Sequence, residues 1–341
     1  EKNLSQKENC WISGDAKVSG DATVSGNAEV CGNALVYDNA EVSGSAKVFG
    51  NAKVYGHVLV YDNAKVSGDA TVFGDARVYG DARVSGNAWA HGHVLVYDNA
   101  KVFGDAEVFG DAEVYGNAGV SDIARISGSA KVFGDAEVFD DARVYGDARV
   151  SGNADVYGNA GVSDIARISG SAKVSGSAKV FGDARVYGDA RVSGNVEVYD
   201  SAKVFGDARV YGDARVYGNA GVSDIARISG HAWVSGSAKV FGDAKVYGDA
   251  RVYGNAGVSG NAEVYDHAEI THNAQIKSSY DYLVFKNTWS SGRNFTYTKS
   301  NKMWKVGCFY GTGEELVAKA YKDSKESGDK YRLYVDLVNN L

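Results

Sequence analysis

GDARVYGDARVSG, Gly74 to Gly86, holds the same six-residue phrase twice. Followed outward in both directions, the phrase A-x-V-[S/F/Y]-G-[D/N/S] runs from Ile12 to Ile276 without insertion or deletion. That makes forty-five hexads, with Val or Ile at every sixth residue except Ala90. An unbroken short period is the sequence signature of a solenoid and takes precedence over any local motif.

Within a hexad, Ala and Val stand two apart and share one side of a strand, while the residue between them, Lys17, Glu29 or Arg77 for example, faces the other way. Ala and Val therefore line an interior, and the variable residue meets water. The Gly and Asp, Asn or Ser that follow tolerate the backbone conformations of a tight turn. Each hexad is one short side and one corner. Three sides close a triangular coil of eighteen residues, and fifteen stacked coils at ~4.8 Å each give a rod of roughly 70 Å.

Val18 and Ala22, Val24 and Ala28, and Val78 and Ala82 repeat a branched aliphatic at i and a small residue at i+4. In this the chain resembles the hexapeptide-repeat left-handed parallel β-helix proteins. The resemblance implies an all-β fold, a single-stranded left-handed parallel β-helix of about 15 triangular coils, with a small C-terminal α+β domain. The left-handed sense is taken from the resemblance alone. The predicted divisions are a polar tail at 1–9, the hexapeptide-repeat β-helix at 10–276 and an α+β capping or recognition module at 277–341.

Composition narrows the class. Gly is abundant (43) and Pro absent, which excludes collagen-like and Pro-rich linker readings. The three cysteines do not form a disulfide framework: Cys10 is predicted to point inward, Cys31 to sit at an outward corner, and Cys308 belongs to the terminal module. That favours a reducing, cytoplasmic setting. No apolar run is long enough to span a bilayer, and the polar start is no signal peptide. The net charge of −7 is unevenly spread, because Lys277 to Leu341 holds 11 basic and 7 acidic residues against an acidic repeat region.

Two sets of outward residues are candidate binding features. Corner positions after the Val are Phe or Tyr in 24 hexads, and no other repeat position carries either, so residues eighteen apart form ladders. Tyr61, Tyr79, Tyr97, Tyr115 and Phe133 should make one continuous aromatic edge, either stiffening a thin core or serving self-association or a ligand. Lys131, Arg149, Arg167, Arg185 and Lys203 should make a basic column, and Lys173, Arg191, Arg209, Arg227 and Lys245 a second. A row of cations suits a phosphate backbone. Asp147 and Asp183, each two residues before an Arg, are expected to neutralise the first column, so protein or self-association is favoured over nucleic acid as partner.

No catalytic or metal-binding residue and no cofactor is predicted. Trp89, His91 and His93 come close in sequence, and some hexapeptide-repeat proteins, the γ-class carbonic anhydrases, bind zinc through such histidines. Yet His57 and His93 are two coils apart with Asp75 between them, too far to share an ion. Hexapeptide-repeat acyltransferases carry an external loop and a catalytic His, and this repeat has no loop to cover an acyl donor. The stretch YGNAGVSDIARISG begins at Tyr115, Tyr157 and Tyr217, at offsets that are not multiples of eighteen, so each copy falls on a different face. Such copying would scramble a site built on one face.

Beyond Ile276 the stretches 281–289, 293–301 and 303–312 read as three antiparallel strands. Thr312 and Glu315 predict a capping box for a helix to about Lys325, and a second helix is expected from about Asp329. Cys308, read inside the third strand, is expected to be a buried thiol. WKVGCFYGTGEEL, Trp304 to Leu316, resembles the small module that ends many hexapeptide-repeat proteins of gut bacteria and their phages. The resulting expectation is a non-enzymatic structural or protein-binding rod of bacterial or phage origin. The alternatives are a phage-type inhibitor of a host protein or nucleic-acid complex, and an acyltransferase.

Overall fold

The computed structural model describes Leu4 and residues 9–341, so most of the predicted tail Glu1–Asn9 lies outside the described residues. The chain is a parallel β-solenoid of about fifteen triangular coils followed by a small α+β domain. It divides into two compact units, Glu1–Asp189 and Ala190–Leu341.

In the first unit the strands run from Trp11–Ile12 to Arg185–Val186, most of them only two residues long. Each pairs in parallel with the strand eighteen residues on: Trp11 with Glu29, Lys17 with Leu35 and Thr23 with Glu41. These three series define a first, second and third face. The second unit continues the scheme from Arg191–Val192 to Gln275–Ile276. Inside, every hexad Ala and Val or Ile from Ala22 to Ile276 is at most 1% exposed, and so is Ala90. The interior is therefore a dry column of small and branched side chains, favoured by burial and by the fit of β-branched residues on a strand.

The corners depend on one left-handed residue per hexad, usually Gly. Gly26 has φ +69°, and a Cβ there would lie 2.7 Å from the Gly44 carbonyl oxygen of the next coil. Nine corners carry Asp instead, with φ between 54° and 61°. Asp tolerates this region better than most residues, and here the side chain gives something back. The Oδ2 of Asp62 accepts the Gly80 N–H at 3.2 Å, and that of Asp164 accepts the Gly182 N–H at 2.9 Å. The carboxylate thus satisfies an amide that the parallel ladder leaves unused. Asparagines at the next corner position form one-way chains, Asn33 donating to Asn51 at 3.0 Å and Asn51 to Asp69 at 2.7 Å, which end on a residue that can only accept.

The terminal module has four antiparallel strands rather than three: Tyr282–Lys286, Asn294–Thr298, Met303–Val306 and Phe309–Gly311. The stretch read as one strand folds back at Gly307, whose φ is +54°, to make a tight hairpin. Cys308 lies in that turn and is exposed, which corrects the expectation of a buried thiol. Helix α1 spans Gly313–Asp323 and has the predicted Thr312/Glu315 capping box, while α2 spans Lys325–Asn339 and begins earlier than the sequence suggested, capped by Ser324. Phe295, Trp304, Leu316, Val317, Tyr331 and Val335 form the core of this module.

Candidate functional site

The aromatic edge forms as the spacing requires. Tyr61, Tyr79, Tyr97, Tyr115 and Phe133 stack face to face with centroids 4.8–4.9 Å apart and planes within 4°. The rings inherit the coil spacing, so stacking needs no adjustment of the backbone. Burial within the stack, followed by the carboxylate of Glu113, pushes the Tyr97 hydroxyl up to about 12.

A second stack was not singled out in the sequence, although the same eighteen-residue spacing carries it. Tyr37, Tyr55, Phe73, His91 and Phe109 follow one another at 4.6–5.4 Å, with an imidazole as the fourth ring. Trp89, 48% exposed, meets Phe73 edge-on. Burial between the rings lowers the His91 pKa, against the opposing charge of Glu107. The folded state therefore binds this proton less readily than the unfolded chain, and stability falls as pH drops through and below the ordinary histidine value. Replacing His91 with Phe should raise Tm more at pH 5 than at pH 8. Thermal melts at the two pH values check this, and an equal gain at both would show that protonation of His91 is not coupled to folding.

The basic column also forms, with Lys131, Arg149, Arg167 and Arg185 in register on the third face. Arg167 pairs directly with Arg185. Lys203 lies in the second unit, in register with Gly221. The predicted neutralisation does not occur. No ion pair joins Asp147 to Arg149 or Asp183 to Arg185, and among the described residues Arg149, Arg167 and Arg185 have no carboxylate at ion-pairing distance. Lys131 alone is paired, to Glu113 one coil back at 2.8 Å. The reason is geometric: residues two apart on a strand are ~6.5 Å apart, while vertical neighbours are ~4.8 Å apart. The face ion pairs are accordingly vertical, as in Lys47–Glu29 at 2.9 Å and Arg125–Glu107 at 3.3 Å. Three like charges in a row repel. Arg167→Glu is expected to raise Tm by about 2 °C in low salt, with the gain shrinking as salt is added. A loss of stability in low salt would mean that the column is held by something other than its register.

The histidines at the corners are bracketed by carboxylates. His93 lies 3.3 Å from Asp75 and 3.4 Å from Asp111, and His231 lies between Asp213 and Asp249 at 3.5 and 3.9 Å. Among the described residues no group of three or more His, Cys, Asp or Glu side chains is placed to hold a metal ion.

The end of the second unit is where the solenoid meets the module. In the earlier coils the amide before the Val donates to a carbonyl seventeen residues on, usually of Ala, and the amide after it to one of Val or Ile, as at Trp11 and Ser13. The last coil has no successor. The Glu263 N–H donates instead to Ser279 Oγ at 3.1 Å, and that of Tyr265 to the Tyr282 hydroxyl at 3.3 Å. Glu269 donates to Thr296 Oγ1 at 2.9 Å, Gln275 to Ser300 Oγ at 2.8 Å and Lys277 to Asp281 Oδ2 at 2.7 Å. His272 also stacks on Tyr310 at 3.5 Å. The edge is thus closed by hydroxyls and a carboxylate rather than by another strand.

A family model described as the YdcK beta solenoid repeat matches the chain at residues 76–92, 142–158, 178–194, 184–200, 208–224 and 244–260. All six segments lie within the hexads. A search of curated proteins found no match.

Proposed function

We propose that the chain is a non-enzymatic structural element of bacterial or phage origin. Its coils present side-chain columns to a protein partner or to other copies, and its terminal module stops parallel strand addition. The closure of five main-chain amides of the last coil by Ser279, Tyr282, Thr296, Ser300 and Asp281 carries this reading. A free parallel edge recruits further strands, and side-chain acceptors quench it without offering a new edge. Three cysteines outside any disulfide fit a reducing, cytoplasmic setting, and no helix among the described residues is long and apolar enough to cross a membrane. The test is the oligomeric state of the chain cut after Ile276, measured by light scattering. A monodisperse product would overturn the capping role.

A second reading is favoured by the unpaired guanidinium groups of Arg149, Arg167 and Arg185. In that reading the chain is an inhibitor that occupies a host protein or nucleic-acid complex through its charged third face.

A further inference from the structure

The duplicated stretch YGNAGVSDIARISG removes two side chains at once. It puts Gly where neighbouring coils carry a long residue on the face, and Ser where they carry a ring at the corner. Gly161 stands in register between Arg143 and Lys179, and Ser163 lies eighteen residues from both Tyr145 and Phe181. The outcome is an open cavity of 730 Å³ lined by these residues together with Asp141, Asn159 and Asp164. Gly221 stands in the same way between Lys203 and Lys239, and Ser223 between the positions of Phe205 and Phe241, around a cavity of 530 Å³ that Asp224 also lines.

Neither glycine is required by the backbone. A Cβ at Gly161 or Gly221 would meet nothing within 4 Å, in contrast to the corner glycines. The effect of each is to leave the place of a long face residue empty, while Ser163 at the first notch is itself only 7% exposed. Of the rings that line them, Tyr145 at one notch is 46% exposed and Phe241 at the other 40%. Two related positions differ. Gly119 lies between Lys101 and Glu137, so its cations are not doubled, and Gly257 is covered by the side chain of Gln275.

The dimensions fit one flat ring. Rings flanking a missing one are two coil spacings apart, about 10 Å, so a single aromatic inserted midway stacks on both sides at the spacing of the complete ladders. On the floor, Arg143 and Lys179 at one notch, and Lys203 and Lys239 at the other, have no carboxylate at ion-pairing distance among the described residues. A pair of cations two strand residues from the ring column, ~6.5 Å away, matches a phosphate dianion held a sugar's length from a base.

We propose that the notches at Gly161 and Gly221 are binding sites for a nucleoside phosphate, with the base in the place of the missing ring and the phosphate between the two cations. The full chain is titrated by calorimetry with adenosine 5′-monophosphate, adenosine, inorganic phosphate and a single-stranded oligoadenylate. The expected result is two sites for the monophosphate, with adenosine and phosphate each at least tenfold weaker. The double variant Ser163→Phe/Ser223→Phe completes both ring columns with a residue the repeat already uses there, so it should keep or raise Tm while losing the binding. Absence of binding to the unaltered chain, or binding that survives the ring-filled variant, would overturn the sites. Phosphate binding as tightly as the nucleotide would overturn the stacking component, and tighter binding of the oligonucleotide would overturn the mononucleotide in favour of a strand.

Discussion

Cutting the chain after Ile276 is expected to convert it from a species of defined size into one that grows with concentration. Without the module, the amides of Glu263, Glu269 and Gln275 lose the hydroxyls of Ser279, Thr296 and Ser300, and three parallel strands offer an open edge. Each exposed amide that trades water for a partner strand gains ~0.5–1.5 kcal/mol net, and a whole coil edge makes several such bonds at once while covering the end of the apolar column. Light scattering should show mass rising with time, and electron microscopy should show elongated particles. A milder form of the experiment keeps the module and substitutes Ser279→Ala, Thr296→Val and Ser300→Ala together. Growth in both would locate the block in the hydroxyls themselves, while growth in the deletion alone would assign it to the bulk of the module.

The second large effect is expected at a corner. Gly194 has φ +87°, and a Cβ there would lie 2.6 Å from the Gly212 carbonyl oxygen, with the coil above unable to yield without breaking its own pairing. Gly194→Ala should therefore destabilise by about 2–4 kcal/mol, combining the left-handed backbone cost with the steric one. Gly194→Asp should cost less, although Asp is the larger residue. The natural Asp corners explain the inversion: at Asp62 and Asp164 the carboxylate accepts the amide eighteen residues on, and the same acceptor would be supplied here. Chemical denaturation of the two variants decides it. If Ala were the milder substitution, the Asp corners would owe their presence to something other than that hydrogen bond.

The solenoid was legible because its core obeys a single rule, with Ala and Val on one side of a two-residue strand and a left-handed corner after it. The vertical relations among outward residues were legible only in part. The ring ladder from Tyr61 to Phe133 follows from spacing, but the stack through His91 was hidden by its one non-benzenoid member. The arginine column was placed properly and its electrostatics were not, because sequence neighbours at i and i+2 look closer on paper than coil neighbours at i+18. In the module, Gly307 stood inside an apolar run that continues on both sides, so the hairpin turn was concealed. The second helix begins at Lys325 rather than near Asp329, and it admits Gly328 in its first turns where a Cβ would collide with the ring of Tyr321. The notches were hardest to see, since they consist of side chains that are missing from a column. Writing the sequence in rows of eighteen makes them visible.

The hydroxyl closure of the last coil has a consequence for how such a chain changes over generations. Ser279, Tyr282, Thr296 and Ser300 bind main-chain amides, which every hexad supplies identically whatever its outward residue. These four contacts therefore recognise a kind of edge, and only side-chain contacts such as His272 on Tyr310 are particular to the last coil. Copying or losing a whole turn upstream leaves that edge unchanged, so the number of turns can drift freely while the stop is inherited intact.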